Sequence, residues 1–126
     1  MITATPQHLR VLNGSFLVEH AEDEAIALAD PWISLVRAPE GLTVVRELRS
    51  GETVEDGEAW AALYSGDTAH GLDVPGMLAL LLSPLAQGGV PVFVASTYNA
   101  DLILVPRDRV EDAADVLRAI GHRIDL

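Results

Sequence analysis

The chain has no cysteine and no lysine, few aromatic residues and no long apolar run. Without cysteine, disulfides and thiolate metal sites are excluded. All 8 basic residues are arginines, set against 19 acids, for a net charge of −11. Such a surface repels a polyanion, and no basic stripe with interleaved aromatics offsets this, so nucleic acid is excluded as a partner. The longest apolar stretch, residues 77–82, is far too short to cross a bilayer. No charged-then-apolar leader opens the chain. The expectation is a soluble cytoplasmic protein with no membrane partner.

What is present is enough to fold. Of 126 residues, 49% are hydrophobic and 21% charged, which excludes disorder and fits one compact domain or two small halves sharing a core. The N-terminal half reads as two strand pairs. Residues 8–12 and 15–20 flank Asn13-Gly14, the strongest short hairpin signal because both turn positions tolerate positive φ. A second pair, 32–37 and 42–47, surrounds the turn Ala38-Pro39-Glu40-Gly41. Between the pairs, 21–30 is acidic and alanine-rich, a short surface helix or loop. Residues 49–58 carry glycines and acids without apolar periodicity and are the best linker candidate.

The C-terminal half alternates strand and helix. Residues 60–65 are a strand. Residues 74–87 form a helix with Asp73 as N-cap and Pro75 in its first turn, where a missing N–H costs little. Pro84 lies deeper and should kink that helix or end its regular part, and Gly88-Gly89 terminates it. The runs 90–95 and 102–105 are continuous apolar strands. Asp108-x-x-Glu111 has the form of a capping box. Val110, Ala113, Ala114, Leu117 and Ile120 follow at helical spacing until Gly121, and 122–126 is a last strand. Strand, helix, strand, strand, helix, strand is the split βαβ order. The expected fold is α+β: a ferredoxin-like βαββαβ module over 55–126, preceded by a strand-rich half over 1–54.

Little in the chain specifies catalysis. His8, His20, His70 and His122 are scattered without metal-ligand spacing. Ser83 and Ser96 have no nucleophile-elbow context, and Gly66-x-x-x-x-Gly71 lacks the Lys of a phosphate loop. No catalytic residue, metal or cofactor is expected. The informative segment is the elbow Ser96-Thr97-Tyr98-Asn99-Ala100-Asp101, which sets hydroxyls and a carboxylate at the end of an apolar sheet near a helix start. A helix start favours an anion and a carboxylate favours a cation, so together they suit a zwitterion such as an amino acid. Asp101 equally well caps a turn, and Thr97 and Tyr98 equally well pack at a strand end. The residues leave both roles open.

At these positions the chain resembles a known family. Asp73-Val74-Pro75-Gly76-Met77-Leu78-Ala79 is similar to the D-x-P-G-x-L-A opening of ACT domains, the regulatory modules of aspartate kinase and other amino-acid enzymes. The longer pattern adds Trp60, Ser83-Pro84-Leu85-Ala86, Val90-Pro91-Val92-Phe93 and Ser96-Thr97-Tyr98-x-x-Asp101-x-x-Leu104-Val105. It resembles the ACT modules of the CASTOR arginine sensors and their small bacterial relatives. The N-terminal half, with Leu42-Thr43-Val44-Val45, resembles a degenerate ACT-like piece.

The resemblance implies a non-catalytic, amino-acid-binding regulatory protein with the ligand held between two ACT modules. One module supplies Gly71, Leu72, Val74, Gly76, Leu78, Thr97, Tyr98 and Asp101. The other supplies Pro91 and Val92, here from a second copy in a homodimer, with a regulated protein as downstream partner. Val74 and Leu72 stand where the arginine sensors carry an acid and an aromatic, which puts arginine itself in doubt as ligand. A ligand-free interaction module is the alternative, and an enzyme using Asp101 as a base lacks a second catalytic group.

Overall fold

The computed structural model describes residues 6–23, 31–66 and 76–126. The strands are β1 (His8–Val11), β2 (Phe16–Ala21), β3 (Trp32–Ala38), β4 (Gly41–Glu47), β5 (Trp60–Tyr64), β6 (Phe93–Val94), β7 (Leu102–Pro106) and β8 (Arg123–Asp125). Among the described residues two helices join them, α1 (Ala79–Gln87) and α2 (Val110–Ala119). From β5 onward the chain order is strand, helix, strand, strand, helix, strand. No helix among the described residues is long and apolar enough to cross a membrane.

The lateral order of the strands differs from a simple four-stranded module. β5 is the axis, with β7 along one edge from Trp60↔Pro106 to Tyr64↔Leu102 and β6 outside β7. Its other edge is shared: β1 takes Tyr64 and Leu63, and β2 takes Trp60. β8 lies outside β1, parallel to it, with His8 facing Arg123. A strand from the N-terminal half therefore stands between the first and last strands of the C-terminal half. β4 and β3 continue the sheet from β2.

The Asn13-Gly14 hairpin expected from the sequence is not formed, because β1 and β2 do not pair with each other. They follow the same edge of β5 in succession, Leu12 donating to the Ala62 carbonyl at 2.9 Å before Phe16 reaches Trp60. Gly14 does adopt the positive φ the signal requires, +88°. It spends that freedom extruding extra residues, so the sheet forks there instead of reversing. By contrast Pro39-Glu40 makes the expected two-residue turn, with Ala38 facing Gly41.

Both helices cover one face of the sheet. Leu9, Ala61, Leu63, Ile103 and Val105 project from alternate strand positions against Leu81 and Leu85 of α1 and Ala113, Ala114 and Leu117 of α2. Each large side chain buried there contributes about 1.5–3 kcal/mol. On the opposite face Phe16 and Val45 pack on Ala62, Leu102 and Leu104, so the N-terminal strands share in a second core.

Both helices end alike. Gly89 (φ +70°) and Gly121 (φ +104°) take the left-handed position just past the helix end. Val90 and His122 then donate back to Leu85 and Leu117, at 2.9 and 3.1 Å, as in a Schellman closure. The helix starts depart from expectation. Asp108 caps nothing: the chain enters α2 through a 3-10 turn over Arg107–Arg109, and no side chain caps the helix. That turn puts Arg109, not Asp108, at the N-cap position of α2. Helix α1 runs from Ala79, and the expected cap Asp73 lies outside the described residues.

Pro84 neither ends nor interrupts α1, which continues to Gln87. Proline removes the N–H that would bond the carbonyl four residues back, that of Leu80. His122 supplies the replacement, its Nε2 lying 3.1 Å from that oxygen. The apolar run 90–95 yields only the two-residue β6. Val90 is drawn into the α1 closure, and Pro91 has no N–H to give a ladder.

The N-terminal strands are fastened by charge. The Arg46 side chain is 7% exposed and is gripped on two sides. Its Nε donates to Glu19 at 2.6 Å, and Nη1 and Nη2 donate to Glu52 at 2.9 and 2.7 Å. The Arg49 N–H adds a bond to Glu52 at 2.9 Å. Arg46 and that N–H hold the Glu52 carboxyl down to a pKa of about 2, and Glu52 and Glu19 raise that of Arg46. The expected linker over 49–58 is thus clipped to β4 and β2.

Candidate functional site

Among the described residues five polar or charged ones are buried: Gln7, Arg46, Ser65, Asp101 and His122. Apart from Arg46, all of them gather at one end of the sheet on its helix-covered face. The alternation of side chains explains this. Leu9, Leu63 and Ile103 face the helices, so Gln7, Ser65 and Asp101, each two residues away, face them too. Three adjacent strands thus each end in one buried polar residue.

Asp101 is 4% exposed and is fixed from several directions. Its N–H donates to the Ser65 hydroxyl at 2.8 Å, and its carbonyl accepts the Ser65 N–H at 3.0 Å. Ser96 donates its hydroxyl to the Asp101 carboxylate at 3.1 Å. A buried carboxylate is costly unless such donors surround it, so its persistence at the sheet end is a built feature. Ser65 is fully buried. Sequence reasoning passed over it, although a serine on the core-facing phase of an apolar strand is a readable signal.

Thr97 closes the elbow. Its hydroxyl accepts the Ala100 N–H and lies within bonding distance of the Ala100 carbonyl, each at 3.2 Å. That hydroxyl serves the turn. Tyr98 is 77% exposed and stands out from the elbow. Gly76, with φ +81°, and Leu78 belong to the turn that leads into α1; Leu78 packs on the helix-side core. Gly71, Leu72 and Val74 lie outside the described residues.

Pro91 and Val92 are not brought to the elbow within the chain. By the β6–β7 register, Val92 falls beside Val105, four residues along β7 from Asp101. That is roughly 13 Å of strand.

Gln7 and His122 were not singled out by sequence reasoning, and they form one unit. The Gln7 N–H donates to His122 Nδ1 at 2.9 Å. With Nδ1 accepting, the ring proton sits on Nε2 and points to the Leu80 carbonyl freed by Pro84. The Gln7 carbonyl accepts the Arg123 N–H at 2.9 Å, and its Nε2 donates to the Met77 carbonyl at 2.7 Å. Because Met77 offers an acceptor, the amide orientation is determined: nitrogen toward Met77, oxygen away from it. That oxygen, buried, has no donor among the described residues. An acceptor left so costs about 1–3 kcal/mol.

The ACT domain family model matches residues 56–119, half the chain, and the protein belongs to that family. Its relatives include the cytosolic arginine sensor for mTORC1 subunit 1. The rat protein is 35% identical over 66 residues, 52% of this chain and 20% of its own length. The mouse protein is 31% identical over 96 residues, 75% of this chain and 28% of its own. The chain thus spans less than a third of the length of these relatives.

Among solved structures, a protein from Agrobacterium tumefaciens superposes with a TM-score of 0.75 at 27% identity, over 96% of this chain and 93% of that one. A protein of unknown function from Vibrio cholerae gives 0.70 at 22% identity, over 91% and 87%. The latter supports the fold alone.

Proposed function

We propose that this chain is a non-catalytic, cytoplasmic amino-acid-binding regulator that holds its ligand at an interface between two copies. The C-terminal half acts as a ferredoxin-like ACT module over 55–126 whose edge has opened to admit β1, and 1–54 is its strand-rich, ACT-like companion. The observation carrying this reading is Asp101: a buried carboxylate, oriented by Ser65 and Ser96, at the corner of the sheet.

In this reading Asp101 takes the ligand ammonium through charge-assisted bonds of roughly 1.5–3 kcal/mol each. Backbone N–H groups around Gly76 and the start of α1 receive the carboxylate, the dipole adding about 0.3–1 kcal/mol. The family resemblance adds Leu78, Thr97 and Tyr98 to the ligand contacts, together with Gly71, Leu72 and Val74, which lie outside the described residues. Pro91 and Val92 arrive from the second copy, which accounts for their distance from the elbow. Micromolar affinity needs about 8 kcal/mol, so the site must be closed by that copy. Ligand and dimer then stabilise one another, and a regulated protein reads the occupancy. The rodent relatives are arginine sensors, but Val74 and Leu72 remove the acid and the aromatic that would favour arginine here.

A thermal-shift screen of the common amino acids, with sedimentation at each condition, tests this. At about 100 times Kd the ligand stabilises by roughly 2.7 kcal/mol, several degrees in Tm. A dimer stabilised by one amino acid, and not in Asp101→Ala, is the expected result. Indifference to every amino acid overturns the reading. It would favour a ligand-free interaction module, for which the exposed Tyr98 and the apolar groove of Ala79, Leu80, Ser83, Pro84 and Ile120 offer a surface.

A further inference from the structure

We infer that Gln7 is a ligand-recognition residue, its buried side-chain oxygen accepting an N–H from an uncharged amide or ureido group at the end of the ligand's side chain. The inference rests on the amino-acid-binding reading above and deepens it by naming the ligand class.

Gln7 is 2% exposed and held at three points. Its N–H is fixed on His122, its carbonyl on Arg123 and its side-chain nitrogen on Met77. The side-chain oxygen is left without a donor among the described residues. A glutamine kept for structure alone would have both ends of its amide engaged, or would be replaced by an apolar side chain of the same length. A glutamine immobilised everywhere except at one acceptor is arranged to meet a donor from outside the fold.

Position says which donor. Continuing the β1–β5 register, Leu9 faces Ser65, and Gln7 stands one same-face step beyond it. Ser65 in turn pairs with Asp101. Gln7 and Asp101 therefore lie on one face, two strand spacings across and one step along, with Cα atoms about 12 Å apart. Side chains of their lengths bring the two acceptors within reach of opposite ends of one amino acid.

The two acceptors differ in charge. The Asp101 carboxylate matches an ammonium. The neutral Gln7 oxygen matches a neutral donor, because a guanidinium or a second ammonium buried there would lack a counter-charge. Glutamine and citrulline have that chemistry. Leucine and methionine, of similar size, do not, and their presence would leave the Gln7 oxygen unpaired.

The experiment is calorimetric titration of the full chain with glutamine, citrulline, asparagine, arginine, methionine and leucine, repeated on Gln7→Met and Gln7→Glu. The wild type should bind glutamine or citrulline in preference to methionine and leucine. Gln7→Met should weaken binding of the preferred ligand about 10- to 100-fold and erase that preference. Gln7→Glu should move the preference toward arginine.

If the wild type binds amino acids through Asp101 but Gln7→Met keeps affinity and ranking, the assignment of Gln7 falls while the amino-acid site stands. If the wild type binds none of the six and is stabilised by no other amino acid, both fall. Should the variants fail to fold, the wild type decides by NMR. The chain has two glutamines, Gln7 and Gln87, so the Gln7 side-chain amide is readily assigned. Its signal should move on adding glutamine or citrulline, and a signal unmoved at saturation overturns the inference.

Discussion

Two buried polar clusters stand in different parts of this molecule, and they are built on opposite plans. Around Arg46, every charged group has its counterpart: a guanidinium between two carboxylates, one of them further bonded by a backbone N–H. At the end of β1, β5 and β7, Gln7 is held by an imidazole and backbone groups, and its side-chain oxygen has no donor among the described residues. A cluster whose bonds close on themselves can only fasten. One that leaves an acceptor without a donor, as at Gln7, can also receive.

The comparison can be broken by substitution. The largest effect is expected for His122→Phe, which strands both the Leu80 carbonyl and the Gln7 N–H. A loss of about 2–4 kcal/mol in urea unfolding follows from two orphaned groups. In a Pro84→Ala background, where α1 regains its own N–H, the loss should shrink by about 1 kcal/mol, a coupling read by a double-mutant cycle. An unchanged loss would separate His122 from Pro84.

Next comes Asp101→Asn, which keeps an oxygen for Ser96 but lacks the charge. The folded chain should be nearly as stable as the wild type, while the ligand-dependent stabilisation of roughly 2.7 kcal/mol disappears from the melting curve. Arg46→Ala should do the reverse. It costs about 2 kcal/mol, less than a fully buried pair because Glu19 is half-exposed, and leaves ligand affinity alone. If Arg46→Ala abolished binding, or Asp101→Asn unfolded the chain, the division of labour would be wrong.

Smaller again is Gly14→Ala. Its cost should be about 1 kcal/mol, chiefly from φ +88°, since the contact made by a new Cβ is with the flexible end of Glu47.

The acid response of the Arg46 clip is the finest test. The Glu52 pKa falls from its ordinary 4.5 to about 2 in the folded chain. Its stabilising contribution is therefore complete above pH 4.5 and is lost as pH falls toward 2. Unfolding followed across that window should be steeper in pH for the wild type than for Glu52→Gln. Parallel curves would remove Glu52 from the account.

Most of the elements were legible in the sequence because each depends on local signals. The periodicity of Val110 to Leu117, the glycines ending both helices and the Pro39-Glu40 turn are decided within a few residues. What was not legible is long-range. Asn13-Gly14 has the same local conformation in a hairpin and in a fork; only the edge offered by β5 decides between them. Pro84 reads as a break unless His122, far along the chain, is known to lie beneath it. In the candidate site, Asp101 was readable from the elbow. Ser65 and Gln7 were not, since a single polar residue in an apolar strand gains meaning only when its neighbours across the sheet are known.

The place of β1 has a further consequence. Its pairing with β8 joins His8 to Arg123, nearly the whole chain apart. Closing so wide a loop is entropically slow, and the last strand has no edge to dock on until it happens. Assembly should therefore finish with this closure, after the helices have collapsed on β5 and β7. A chain caught before that step presents the open edge of β5, onto which the β1 of a neighbouring molecule fits as well as its own. Strand exchange between copies is thus the misassembly to which this architecture is most prone.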